Sequence, residues 1–135
     1  MINMTNAMGT PMAHRGLKVH LKALTVMVSQ TFHLPETGVQ ILETLLTCRR
    51  ALSVKELVQR VKRSERSVRG ALDHLVTKGV LIRKVSLTGR KRLAYLYTLG
   101  PMDRVIKVLR GEILNQLERL ERLEGTIGKQ GASNP

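Results

Sequence analysis

The stretch that most constrains this chain is SVKELVQRVKRSERSVRGALDHLVTKG, from Ser53 to Gly79. Ser53 is a favoured N-cap residue, and Glu56 completes an S-x-x-E capping box that satisfies free backbone donors from both sides. Val54, Leu57, Val58 and Val61 then recur at helical spacing, so a short helix with one apolar face is predicted. That run stops at Lys62-Arg63, and Ser64 caps a second helix, ERSVRGALDHLVTK. Within it Val68, Leu72, Leu75 and Val76 fall at i, i+4, i+7 and i+8 and face a common core. Gly79 follows as a C′ glycine, which takes the left-handed conformation at little cost. The outcome is a helix–turn–helix whose second helix shows Arg66, Ser67, Arg69 and Gly70 to the outside. Those residue types suit a helix laid in a DNA major groove. Arginine pairs bidentately with guanine, serine reaches bases or phosphate, and glycine permits close approach. Lys62, Arg63 and Ser64 in the turn complete the candidate surface.

After Gly79 the hydrophobic period changes from helical to alternating. VLIRKVS is β-branched and reads as a strand, LTGRKR as a turn with Gly89 at its tip, and LAYLYTL as the returning strand. The predicted product is a two-stranded hairpin behind the second helix. Its tip carries Arg90, Lys91 and Arg92, placed for phosphate or for the neighbouring minor groove. Upstream, Leu17, Leu21, Leu24, Met27 and Val28 predict a helix over 17–32, with Arg15, Lys18 and Lys22 making its beginning basic. Pro35 stops it and suits the first turn of a second helix, PETGVQILETLLTC, that buries Val39, Ile41 or Leu42, Leu45 and Leu46. Arg49-Arg50-Ala51-Leu52 reads as a connection, and Arg49 and Arg50 fit DNA contact and ordinary surface charge equally well.

Gly100-Pro101 opens a long last helix over 100–127. Ile106, Leu109, Ile113, Gln116, Leu120, Leu123 and Ile127 alternate +3 and +4 spacings there, an a/d heptad seam with one polar position, and Leu117 widens it. Gly111 and Gly125 weaken that helix, each by about 1 kcal/mol relative to alanine. The seam is expected to meet a second copy of the chain through Ile106, Leu109, Ile113, Leu117, Leu120 and Leu123, with packing against the first helix as the alternative. Residues 1–15, which hold Met1, Met4, Met8, Met12 and Pro11, and residues 128–135 are expected to be flexible tails. The remainder, 16–99, forms the main domain.

Charge separates these parts by task. From Arg60 to Arg92 there are eleven basic residues and two acidic ones, whereas Pro101 to Gly125 holds five of each. The whole chain carries +13, which points to a polyanionic partner, and nucleic acid is the usual one for such a domain. An aromatic content of 2% leaves an aliphatic core and argues against single-strand binding by base stacking. No apolar run reaches the ~18–20 residues of a membrane span, and no leader is visible at the start, so a cytoplasmic, nucleoid-associated location is expected. The single cysteine, Cys48, excludes an intrachain disulfide. Beside Leu45, Leu46 and Leu52 it reads as a small buried hydrophobe rather than a redox switch. His14, His20, His33 and His74 have no second ligand at i+3 or i+4, so no metal is expected. Tyr95 and Tyr97 read as strand packing. Nothing resembles a nucleophile–base pair, an acid pair or a phosphate loop. The expectation is therefore a non-enzyme without cofactor.

The order helix–helix–HTH–hairpin–helix, over about 35–99, resembles the winged-helix domain of MarR- and TrmB-type transcriptional regulators, in particular small archaeal one-domain forms. The likeness is carried by Leu57, by Ser64-x-x-Ser67-Val68-x-x-x-Leu72-x-x-Leu75, by Lys78-Gly79-Val80-Leu81 and by Tyr95-x-Tyr97-x-Leu99. It covers roughly half of the chain, and its motifs mark the fold more than the subfamily. The resemblance implies a mostly helical α+β winged helix with a dimerising, coiled-coil-like C-terminal helix. It also implies that helix 65–78 enters the major groove and that wing 86–93 lies on the backbone or in the minor groove. The implied function is sequence-specific regulation of transcription on double-stranded DNA by a homodimer. A low-specificity chromatin protein and a winged-helix protein-interaction module are the alternatives. A single long C-terminal helix and a short N-terminal region depart from full MarR proteins, and the residues name no small-molecule effector.

Overall fold

The computed structural model describes the backbone of residues 2–87 and 92–133 and the side chains of 16–87 and 92–129. Its elements follow in the order α1 (Ile2–Thr31), α2 (Glu36–Cys48), β1 (Leu52–Ser53), α3 (Val54–Val61), α4 (Glu65–Thr77), β2 (Leu81–Leu87), β3 (Leu93–Leu99) and α5 (Met102–Ser133). The mostly helical α+β architecture is as the periodicity predicts.

The ends of the central helices are built by the expected residues. Ser53 Oγ accepts from the Glu56 amide at 3.2 Å, and the Glu56 carboxylate accepts from the Ser53 amide at 3.1 Å, closing the capping box. At the far end of α4 the Val80 amide donates to Leu75 O and the Gly79 amide to Val76 O, both at 3.0 Å. This is a Schellman pair, and it requires the φ of +84° that Gly79 adopts. It turns the chain straight into β2.

The sheet differs from the predicted hairpin. It has three antiparallel strands in the order β1-β3-β2, because Leu52 and Ser53 pair with Tyr97 and Leu96. A two-residue strand carries no period of its own. Here the cap residue Ser53 doubles as a strand end, and so the segment read as a connection. The main hairpin runs in register from Leu81↔Leu99 to Leu87↔Leu93.

The core draws on every element: Val28 and Phe32 from α1, Ile41, Leu42 and Leu45 from α2, Leu57 from α3, Val68, Leu72 and Leu75 from α4, Leu81 and Tyr97 from the sheet. From α5, among the described residues, it takes Val105 and Leu109, near the start of the helix, with Val108 packed against it. Both terminal helices run further than expected. α1 begins at Ile2 rather than near Leu17, and α5 reaches Ser133 rather than 127, so stretches expected as loose tails are helical. Pro11 and the glycines after Gly125 lie within these helices. Once a docked segment has nucleated a helix, each added residue gains a hydrogen bond, which offsets a weak position.

Candidate nucleic-acid interface

Helix α4 divides cleanly into two faces. Val68, Ala71, Leu72 and Leu75 are buried, while Arg66, Ser67, Arg69, Gly70 and Asp73 are exposed. The preceding turn exposes Lys62, Arg63 and Ser64 as well. All predicted residues of the turn and helix are therefore exposed, yet their hydrogen bonds give them different duties.

Ser64 is committed to the helix. Its Oγ accepts from the Ser67 amide at 3.1 Å and donates to Ser67 Oγ at 3.0 Å. Ser67 Oγ accepts in that pair, which leaves its hydroxyl able to donate. Arg63 faces back toward α2, where Nη2 lies 3.1 Å from Glu36 Oε2 and Nε donates to Gln40 Oε1 at 3.2 Å. It fastens the turn to α2. Arg69 Nε pairs with Glu65 Oε2 at 3.3 Å, one helical turn back. Among the described residues no acidic side chain pairs with Arg66. For Gly70, an added Cβ would meet nothing within 4 Å, so nothing inside the chain requires glycine there.

Lys62 ends α3 in the left-handed region at φ 55°, and its amide donates to Val58 O at 2.9 Å. Arg49 does the same at the end of α2 with φ 57°. A residue with a Cβ pays about 1–2 kcal/mol for this conformation, whereas glycine adopts it freely. A cation at a helix C-terminus recovers about 0.3–1 kcal/mol from the dipole, so local structure alone does not favour lysine over glycine at 62. Arg50, adjacent to Arg49, pairs with Glu56 at 2.9 Å. The Ser53 amide, and after it the Arg50 guanidinium, hold the Glu56 carboxyl below the usual carboxylate range.

On the wing, Arg92 is exposed just before β3, and Arg90 and Lys91 lie outside the described residues. Arg83 stacks over the Tyr95 ring at 4.5 Å, and Lys84 is exposed on the opposite face of β2. Tyr97 packs in the core as expected, but Tyr95 is 44% exposed. The distal half of the wing face that carries Tyr95 exposes Val85, Leu87 and Leu93 too, an apolar patch outside the predicted site. Its signal lies in the alternation: residues of one parity share a face, and the core is wide enough to cover only the root of the hairpin.

The predicted seam on α5 also separates by position. Leu109 is 5% exposed and packs in the chain's own core, whereas Ile106 and Ile113 are partly open and Leu117, Leu120, Leu123 and Ile127 stand in solvent. Gln116, the polar position in the seam, donates from Nε2 to Thr31 O at 2.8 Å, so it satisfies a carbonyl at the end of α1. Cys48 is half-buried rather than fully buried, with Arg60 Nη1 at 2.9 Å from its sulfur. That contact crosses from α3 to α2, a separation no sequence spacing reveals. Among the described residues no group of His, Cys, Asp and Glu is arranged to hold a metal, and no helix is long and apolar enough to cross a membrane.

No family model matches the chain, and no curated protein does. Solved structures do. A possible transcriptional regulator from Methanosarcina mazei superposes with a TM-score of 0.64 at 14% identity, covering 74% of this chain and 84% of its own. A protein from the thermoacidophilic archaeon Sulfolobus tokodaii superposes with a TM-score of 0.58 at 20% identity, covering 76% of this chain and 96% of its own. At such identities the likeness is one of fold. With the helix–turn–helix, the three-stranded sheet and the hairpin behind α4, the chain has the winged-helix fold.

Proposed function

We propose that the chain is a sequence-specific, double-stranded DNA-binding transcriptional regulator that acts as a homodimer and not as an enzyme. Helix 65–78 would lie in the major groove, with wing 86–93 on the backbone or in the minor groove. One observation carries this reading: α4 has a fully buried face and an opposite face of Arg66, Ser67, Arg69 and Gly70, extended by Lys62 in a strained conformation. Exposed cations on a helix whose other side is locked in the core form a rigid positive edge, which is what groove insertion needs. The wing adds Arg92, Lys84 and, from the sequence, Arg90 and Lys91.

The assignment of two copies rests on α5. Its outer half carries Leu117, Leu120, Leu123 and Ile127 at 46–64% exposure, and Ile106 and Ile113 continue that stripe toward the core. A second copy of the helix would cover them, and the dimer would set two α4 helices about one DNA turn apart on an approximately palindromic site. The location would then be cytoplasmic, on the nucleoid.

The strong positive charge fits a chromatin-coating protein as well, and binding measurements separate the two. Fluorescence anisotropy with the DNA upstream of the chain's own gene and with a shuffled duplex, across a salt series, should show discrimination of roughly 10³-fold or more. Equal and steeply salt-dependent affinity for both duplexes would replace the regulator with the coating protein.

A further inference from the structure

The two arginines on the exposed face of α4 differ in how they are held. Glu65, in the first turn, takes Arg69 Nε at 3.3 Å, and the pair has the favourable order of acid before base at i, i+4. A guanidinium offers donors in a fixed planar fork. With Nε engaged by the carboxylate, the terminal edge formed by Nη1 and Nη2 remains, and it matches the O6 and N7 acceptors of guanine in the major groove. Both partners are more than half exposed, so the pair adds little to folding stability. What it fixes is the plane and direction of one side chain on the outer face.

Arg66 has no such carboxylate among the described residues and keeps its rotamer freedom. A flexible cation suits a phosphate, which accepts from many directions. It suits a base edge poorly, because that edge demands one plane. Glu65 itself carries a negative charge toward the DNA, where it opposes binding that rests on phosphates alone.

We propose that Glu65 is a specificity-determining positioning residue that presents Arg69 to a guanine, while Arg66 serves the phosphate backbone. This assignment rests on the DNA-binding reading above. Its test selects duplexes from a randomised pool with the full chain and compares the enriched sequence with a scrambled control, by anisotropy. The wild type, Glu65→Ala, Glu65→Gln, Arg66→Ala, Arg69→Ala and the Glu65→Ala/Arg69→Ala pair are measured on both.

At one enriched guanine, replacement by 7-deazaguanine should weaken wild-type binding roughly tenfold, on the scale of a bidentate base contact. The same replacement should weaken Glu65→Ala less than threefold and Arg69→Ala not at all. Glu65→Gln, which keeps an acceptor, should fall between. Glu65→Ala should bind the scrambled duplex at least as well as the wild type. Arg66→Ala should lose affinity for both duplexes alike, with the salt slope reduced by about one.

The double variant decides between positioning and a structural role. Removal of Glu65 should change the guanine preference only while Arg69 is present. An effect of equal size in the Arg69→Ala background would overturn the proposal, because support of the helix would act in both. So would an enriched sequence with no guanine that depends on Arg69. A wild-type pool with no enriched sequence would instead sink the sequence-specific reading itself, and this assignment with it.

Discussion

Gly70→Ala tests the proposed recognition surface with opposite signs in two assays. Gly70 lies in the middle of α4, on the exposed face, and a Cβ built there meets nothing within 4 Å. Alanine costs a helix interior less than glycine by about 0.5–1 kcal/mol, so with open space around the new methyl the variant should be more stable by that amount. For a domain of this size that corresponds to a rise in Tm of roughly 2–4 °C, measured at fixed protomer concentration because association also shifts Tm. Against DNA the same methyl stands between Arg66 and Asp73, where the helix would approach the groove floor. Forcing an extra methyl into a packed interface costs about 1–3 kcal/mol, or roughly a 5- to 150-fold loss of affinity. Thermal unfolding followed by circular dichroism reads the first effect, and anisotropy on an enriched duplex reads the second. A variant that is more stable and binds equally well would remove Gly70 from the interface. A variant that is less stable would contradict the open space found around this residue.

Lys62→Gly should leave stability within about 1 kcal/mol, because relief of the left-handed strain is offset by glycine's unfolded entropy and the lost dipole contact. If lysine is kept there for DNA, affinity falls and the salt slope drops by about one, whereas unchanged binding would return Lys62 to ordinary surface charge. Gly79→Ala should destabilise by about 1–3 kcal/mol in urea unfolding, since the residue sits at φ +84° and its Cβ would lie 3.1 Å from Val108 Cγ2. The Glu56 carboxyl is held below its ordinary value, so its contribution is present above that value and lost as pH falls through the lowered one. The stability difference between wild type and Glu56→Gln should therefore be present at neutral pH and shrink as the pH falls below the ordinary carboxylate range; a constant difference would refute the linkage. Ile113→Glu with Leu120→Glu should sediment as monomer and bind DNA more weakly through lost bivalency, and an unaltered assembly would show the seam to be misplaced.

The parts of this structure legible in the sequence are those set by local rules. The Ser53–Glu56 box, the Ser64 cap and the Gly79 turn each have a residue-level signature, and the period of Val68, Leu72 and Leu75 fixes which side of α4 is left outside. The surface could therefore be named from order and periodicity alone. What escaped depends on partners distant in sequence. Arg63 pointed outward by its charge, yet Glu36 and Gln40 on α2 hold it. Leu52-Ser53 becomes a strand only because β3 supplies a partner, and Leu109 turns inward because α5 packs against α1 and the core. The apolar outer wing was hidden for the same reason: alternation assigns residues to a face but does not say how far the core reaches beneath it.

The reach of the core also explains the form of α5. Val105 and Leu109 are buried, Gln116 is spent on Thr31 O, and among the described residues beyond it every side chain is exposed. The hydrogen bond from Gln116 therefore marks where intrachain support ends. A helix that continues past this point without tertiary contacts is marginal in water, since most helical stability in proteins comes from a packed apolar face. The segment nonetheless keeps leucine and isoleucine at heptad spacing, on a part of the chain where basic and acidic residues balance. An unpacked tail has no use for that spacing, and a phosphate-binding tail would not be neutral. A second copy covering Leu117, Leu120, Leu123 and Ile127 accounts for the spacing, the neutrality and the length together. Such a pairing would also leave the positive edge of each α4 free, so under the proposed function the division of charge along the chain would correspond to a division between a pairing surface and a DNA-binding one.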